Sequence, residues 1–312
     1  MQILTTVDRP ELTRALAADQ FLWVDLTAPD EVSVEALGSV LMLHPLALAD
    51  TRDFGQRPKS DRYEGGALIV AYGADPTDEL AAPMEVHLLV APEYLVTVHE
   101  EADPGLHALR TSVPDSTLTV EAALVVRVLD ALVRSCEQVV EMQATALDAL
   151  EDAVLERARG EQLEQLVRLR HAIAGLHRRI GAEQDVFADI EQVVLELPGL
   201  DPDARPYLRN IGDRLARAEG RLAALQATAG SLADLYFNAN ANRLTEISER
   251  LSVIATILLP LTLVTGFFGQ NFGWLVRHID SLTAFLLFGV GGLVLPSVLA
   301  VAYLRRRSGQ AR

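Results

Sequence analysis

LSVIATILLPLTLVTGFFGQNFGWLV at residues 251–276 and SLTAFLLFGVGGLVLPSVLAVAYL at 281–304 hold 26 and 24 residues without a charge, and only Arg277, His278, Ile279 and Asp280 separate them. A helix crossing the ~30 Å hydrocarbon core of a bilayer needs about 20 apolar residues, so each stretch is long enough to span. The short link makes the pair a transmembrane hairpin. The first 250 residues are too charged to cross. The predicted plan is a large soluble N-terminal region anchored by two closing helices.

Charge divides the chain at the same place. The whole carries −16 at pH 7, but residues 251–312 hold five Arg and one Asp, a net of +4, which leaves −20 on the first 250. Such a surface repels nucleic acid and anionic lipid headgroups and attracts cations, so nucleic acid is not an expected partner. Cys136 is the only cysteine, so no intrachain disulfide is expected. The opening MQILTTVDRPEL has no basic segment followed by an apolar run, and no cleaved signal is expected. Arg243 and Arg250 precede the first span and Arg305, Arg306 and Arg307 follow the second, against Arg277 alone in the link. The positive-inside rule puts both chain ends in the cytoplasm and the link outside.

Residues 1–116 read as a mixed α/β region. Short β-rich runs occur at Phe21–Leu26, Ala67–Tyr72, Val86–Val90 and Tyr94–Val98, with Gly65-Gly66 and Ala91-Pro92-Glu93 as turn signals. Helical spacing appears at Glu11–Asp19 and Val32–Met42. Residues 117–205 change character: 119–196 contain no proline, and Leu147, Leu150, Val154, Leu163, Leu166 and Ile173 recur at helical intervals. They predict a long helical hairpin turning near Ala158-Arg159-Gly160. A stalk helix over 206–250 then runs into the first span, 251–276, followed by the link 277–280, the second span 281–304 and a basic tail 305–312. A single helix from Tyr207 to Phe268 would reach roughly 90 Å at 1.5 Å per residue. Gly212, Gly220 and Gly230 each oppose it by about 1 kcal/mol relative to Ala, which packing must offset. The fold class is α+β, with two C-terminal transmembrane helices.

The end of the first span carries the most specific residues. Asn242-Arg243-Leu244-Thr245, Ile254 through Thr262 with Pro260, and Thr265-Gly266-Phe267-Phe268-Gly269-Gln270-Asn271-Phe272 resemble the CorA family of divalent-cation transporters, whose hallmark is Gly-Met-Asn closing the first span. Trp23-Val24-Asp25-Leu26, His44 through Asp50, Arg57-Pro58-Lys59 and Tyr207-Leu208-Arg209-Asn210 match family segments in the family's order. The resemblance implies a homopentameric, funnel-shaped, channel-like transporter of the plasma (inner) membrane. The first span would line the pore and the second would form an outer ring in contact with lipid. Independently, two helices cannot enclose an ion path, so conduction requires several copies around an axis. No GxxxxGK[ST] loop is present, so nothing in the sequence calls for ATP, and no enzyme or cofactor is expected. The divalent cation itself is the substrate. A second reading is a membrane-tethered oligomeric sensor or scaffold that has lost conduction.

The chemistry at Gly269, Gln270 and Asn271 follows from ion hydration. Mg2+ gives up water reluctantly, so a pore selects it most readily by hydrogen-bonding its hydration shell. A ring of Asn271 amide oxygens would do this and still release the ion. Gly and Asn also terminate helices without any further role. Gln270 departs from the usual Met. Variants of this triplet occur in family branches that move other ions, zinc among them, so the resemblance implies Mg2+ first, with Co2+, Ni2+ or Zn2+ as the others. Arg277 and His278 stand where relatives carry acids, and the link gains no net negative charge from Asp280.

Steps of three and four back from Asn271 place Thr262, Leu259, Ala255, Leu251, Ser248, Thr245, Ala241 and Asp234 on one helical stripe. Facing an axis, Leu251 and Leu259 would form apolar gates and Thr245 and Thr262 would offer hydroxyls. The same stripe also suits packing between helices. The resemblance implies regulatory metal at subunit interfaces, with Asp50 as one partner and Asn210, an amide here, as the other. Asp213 is one turn on. Asp50 also reads as a helix-end or surface carboxylate. His99, Glu100, Glu101, Asp103 and His107 form a further metal candidate or a solvated acidic loop. His171 and His177 do not share a face, and Cys136 reads as a small packed residue.

Overall fold

A computed structural model of the chain describes residues 1–18, 20–77, 82–101, 104–111, 118–197, 202–269, 273, 281–292, 294–295, 298–299 and 302. The chain divides into two compact units, Met1–Tyr236 and Phe237–Arg312.

The first unit is built on a six-stranded mixed sheet. Its strands are β1 (Gln2–Leu4), β2 (Leu22–Thr27), β3 (Lys59–Tyr63), β4 (Gly66–Ala74), β5 (Pro83–Val90) and β6 (Tyr94–His99), in the spatial order β1-β2-β6-β5-β4-β3. β1 and β6 flank β2 in parallel, with Trp23 opposite Leu95, and the remaining pairs are antiparallel. Four of these strands fall on the β-rich runs of the sequence. β1 and β3 do not: one has three residues, and the other is the polar edge strand KSDRY.

Both faces of the sheet are covered, and the side-chain period of two decides which residue goes where. Leu22, Val24, Leu26, Leu68, Leu89, Val96 and Val98 point into one core with α1 (Arg9–Leu16), α2 (Glu31–Val40) and α3 (Pro45–Arg52). Their neighbours Trp23, Ile69, Ala71, Leu88 and Leu95 enter the other core, against the long helices. Helix starts are capped in the expected way: Asp30 accepts from Ser33 N–H, and Thr119 accepts from Ala122 N–H. α3 begins at Pro45, where a proline costs no hydrogen bond. α4 spans Pro104–Thr111.

The hairpin consists of α5 (Val120–Glu156) and α6 (Gly160–Glu196), with Gln162 Oε1 accepting the Arg159 N–H at the turn. α7 runs unbroken from Arg205 to Phe268, past the three glycines and through Pro260. In the first unit it lies on the hairpin, where Leu208, Ile211, Leu215 and Leu222 join the sheet-facing core, and Leu232 and Tyr236 meet Leu147, Leu150 and Leu166.

The long helices also finish the sheet edge. β3 pairs β4 only as far as Val70 opposite Lys59, which leaves the next outward-facing β4 amides without a strand. Glu183 Oε2 of α6 accepts Tyr72 N–H at 3.1 Å, and Ser135 Oγ of α5 accepts Ala74 N–H at 3.0 Å. Buried backbone donors need such partners.

The glycines of α7 are not equivalent. A Cβ at Gly212 would sit 2.8 Å from the Phe187 ring, whereas nothing lies within 4 Å of one at Gly220. Phe187 is buried and cannot yield without disturbing its neighbours. Gly212→Ala is therefore expected to destabilise the protein by about 1–3 kcal/mol through overpacking. Gly220→Ala is expected to raise stability by up to about 1 kcal/mol through helix propensity. Thermal melts of the two full-length variants check this, and equal shifts would deny the close approach of α6 and α7.

Candidate functional site

In the second unit, α7 carries a helix long and apolar enough to cross a membrane. Its two sides differ. Val253, Ile257, Pro260, Leu261 and Val264 are partly buried, and Val264 lies beside Gly292 of the second apolar stretch, which is helical over its described residues 282–292. The predicted stripe, two residues earlier at each step and so roughly 160° around the helix, is bare. Leu251 is 67% and Leu259 70% exposed, and Thr245, Ser248, Ala255 and Thr262 are exposed with them.

The hydroxyls along α7 are prepared for an apolar setting. Thr245, Thr256, Thr262 and Thr265 donate to the carbonyls of Ala241, Ser252, Leu258 and Leu261, four residues back. Each donor is satisfied within the helix, while the oxygen lone pairs stay available to accept. Pro260 has no N–H, so the Thr256 carbonyl lacks its helical donor. At the C-terminal end, Gly269 N–H donates to Thr265 O at 2.8 Å, and a Cβ at Gly269 would stand 2.9 Å from that same oxygen. Only glycine closes this turn without strain. Gln270, Asn271, Arg277, His278 and Asp280 lie outside the described residues.

The regulatory candidates fall in the first unit. Asp50, on α3, binds Lys59 Nζ at 2.5 Å, and Lys59 also meets Asp61 at 3.2 Å. Partial burial opposes the Lys59 charge, but its hydrogen bonds to Asp50 and Asp61 hold the ammonium pKa above its ordinary value. Asn210, Asp213 and Asp234 are exposed on α7. Asn210 borders a groove of about 500 Å3 between α5 and α7, together with Arg127, Asp130, Arg134, Tyr207 and Arg214. Arg214 is clamped by Glu137 and Asp130, and Arg134 pairs with Asp130 at 2.7 Å. The surroundings of Asn210 are therefore cationic. Among the described residues no hydrogen bond or ion pair joins Asp50 to Asn210 or Asp213.

The histidine-rich segment resolves differently from a metal cluster. His99 is buried, with Nε2 3.0 Å from Asp25 Oδ1. Thr97 donates to Asp25, Trp23 Nε1 donates to Thr97, and Arg110 lies 3.1 Å from Asp25 Oδ2. Burial raises the Asp25 pKa, but hydrogen bonds from His99 and Thr97 and the Arg110 charge together bring it below its ordinary value. Among the described residues no group of three or more His, Cys, Asp or Glu could hold a metal, and Asp103 lies outside them. His177 pairs with Glu219 at 3.0 Å, His171 is exposed, and Cys136 is buried. Sequence reasoning missed Glu183, a carboxylate between Ile180 and Phe187 on the buried stripe of α6, whose spacing was the available signal.

Comparison with known proteins agrees with this architecture. Cobalt/magnesium transport protein CorA of Thermotoga maritima is 23% identical over 292 residues, covering 91% of this chain and 82% of its own. The zinc transport protein ZntB of Yersinia enterocolitica is 26% identical over 300 residues, 93% of this chain and 88% of its own. Among solved structures, the complete CorA magnesium transporter of Methanocaldococcus jannaschii superposes with a TM-score of 0.76 at 18% identity, over 91% of this chain and 90% of its own. Full-length CmaX superposes with a TM-score of 0.71 at 20% identity, over 91% and 87%. Residues 18–306 match the family of CorA-like Mg2+ transporter proteins, and the chain belongs to that family.

Proposed function

We propose that this chain assembles as a homopentamer and conducts divalent metal cations across the plasma (inner) membrane, with α7 lining the path. The observation that carries this reading is the bare stripe of α7. Thr245, Ser248 and Thr262 lie exposed beside Leu251 and Leu259 on the side opposite the partly buried face. The hydroxyl hydrogens of Thr245 and Thr262 are spent inside the helix, and around an axis the remaining oxygen lone pairs would face water and a hydrated ion. Leu251 and Leu259 would narrow the path with apolar rings. A single chain offers only one wall, so several copies are needed.

Gly269, Gln270 and Asn271 are proposed as the pore mouth, where amide oxygens accept from the cation's water shell. The second apolar stretch, behind α7, would meet lipid, with both chain ends in the cytoplasm. Mg2+ is the leading substrate. Relatives named for cobalt and magnesium and relatives named for zinc are of comparable identity, so Co2+, Ni2+ and Zn2+ belong in the same test. Asp50, Asn210, Asp213 and Asp234 are retained as proposed cation contacts between copies. Asp50 would have to exchange Lys59 for the ion, and the arginines beside Asn210 oppose a cation there.

Proteoliposomes loaded with a divalent-sensitive dye should show uptake, and Asn271→Ala should abolish it while assembly stays intact. Unchanged flux in that variant would reduce Asn271 to a helix terminator, and no flux from an intact wild-type assembly would favour a sensor or scaffold. Native mass measurement of the solubilised protein is expected to give five times the 34.0 kDa chain as the dominant species. A dominant monomer or dimer would remove the pore.

A further inference from the structure

Glu183 has no counterpart among the groups used above. It is 1% exposed, set among Ile180, Phe187 and Ile190 in the core between α5, α6 and the sheet. Among the described residues its hydrogen-bond partner is a backbone donor, Tyr72 N–H, at an edge position that β3 does not reach. The neighbouring elements carry titratable groups, each already engaged. On β4, the Tyr72 hydroxyl sits 2.7 Å from Glu85 Oε2. On β5, Glu85 and His87 pair at 2.8 Å. On α5, the Cys136 thiol donates to Tyr72 O. On β3, Lys59 is held by Asp50 and Asp61, and Arg62 by Glu196. One turn earlier on α6, Arg179 donates to Gln56 O and to the Tyr72 hydroxyl, both at 3.1 Å.

We propose that Glu183 is a proton-operated latch between the β4 edge and α6: protonated, it stays in the core and caps the edge, and ionised, it draws water and loosens α6. A carboxylate in an apolar core without a cationic partner is costly, and one hydrogen bond does not repay the lost hydration. Burial pushes its carboxyl up to about 8. The closed state therefore holds the proton more tightly than an opened state with an ordinary carboxyl. Closure is strongest below the ordinary carboxylate range and weakens as pH rises towards 8, by roughly tenfold in the opening constant per pH unit. Loosening α6 also slackens Arg179 on Gln56, whose Nε2 donates to Asp50 O at 2.7 Å. Proton release is thereby passed to the loop beside Asp50.

Hydrogen exchange of the full-length protein in lipid nanodiscs, corrected for intrinsic rates, tests the latch without any transport readout. Between pH 6.5 and 7.5, peptides spanning residues 69–74 and 179–187 should lose about tenfold in protection, while peptides from α1–α3 should not change. Glu183→Gln keeps an acceptor for Tyr72 N–H but has no proton to lose, so its protection should be flat with pH. Equal slopes in the two proteins, or a flat wild type, would overturn the proposal. Should the variant fail to assemble, infrared difference spectra of the wild type decide. A buried protonated-carboxyl band lost between pH 7 and 9 supports the latch, and its absence overturns it.

Discussion

Burial of one face of α7 against α5 and α6 holds the first unit together and sets where that helix becomes exposed. Leu208, Ile211, Leu215, Ala218, Leu222, Ala229, Leu232 and Tyr236 are all buried and follow alternating steps of three and four, with Leu225 in the gap partly buried. That is the seam of helices packed at a shallow left-handed angle. Continued, it would fall on Ala239, which is partly buried, and on Arg243, Glu246 and Arg250, which are exposed. Apolar residues resume one position later, at Leu244, Ile247, Leu251, Ile254 and Leu258, a rotation of roughly 100°. Past Tyr236 the next apolar face of the helix is exposed.

Satisfaction of polar groups away from water recurs in both units, by different means. At the β4 edge the donors are backbone amides, and α5 and α6 supply Ser135 and Glu183 as acceptors. Along α7 the donors are hydroxyls, and the helix's own carbonyls accept them. The second arrangement leaves neutral oxygens on α7 at Thr245, Thr256, Thr262 and Thr265. Neutral acceptors suit an ion that keeps its water, because they bind it weakly enough to release it.

Several elements could be read from the residues because their signal is local. The hairpin turn at Ala158-Arg159-Gly160 and the continuity of α7 follow from proline-free helical periodicity, and β2 and β6 from runs of β-branched and aromatic residues. β3 could not be read this way. KSDRY has no apolar alternation, and it is a strand only because β4 offers an edge. The three residues of β1 depend on β2 in the same manner. The segment from His99 to His107 invites a metal reading, since clustered ligand types are visible in sequence while their orientation is not. Folding turns His99 inward to Asp25 and spends it on the core.

The sequence by itself determined the plan: two uncharged closing stretches, an acidic N-terminal region, a helix long enough to join them, and Gly269 within the first stretch. These are consequences of composition and period, which need no partner to be expressed. Tertiary structure decided which side of each element is used. It set α5–α7 and α1–α3 on opposite faces of one sheet, paired Asp50 with Lys59, lined the groove beside Asn210 with arginine, and buried Glu183 beneath the Tyr72 edge amide. The reason is that charge compensation and burial depend on residues far apart in the chain. Glu183 and Tyr72 are 111 positions apart, and nothing local to either announces the other.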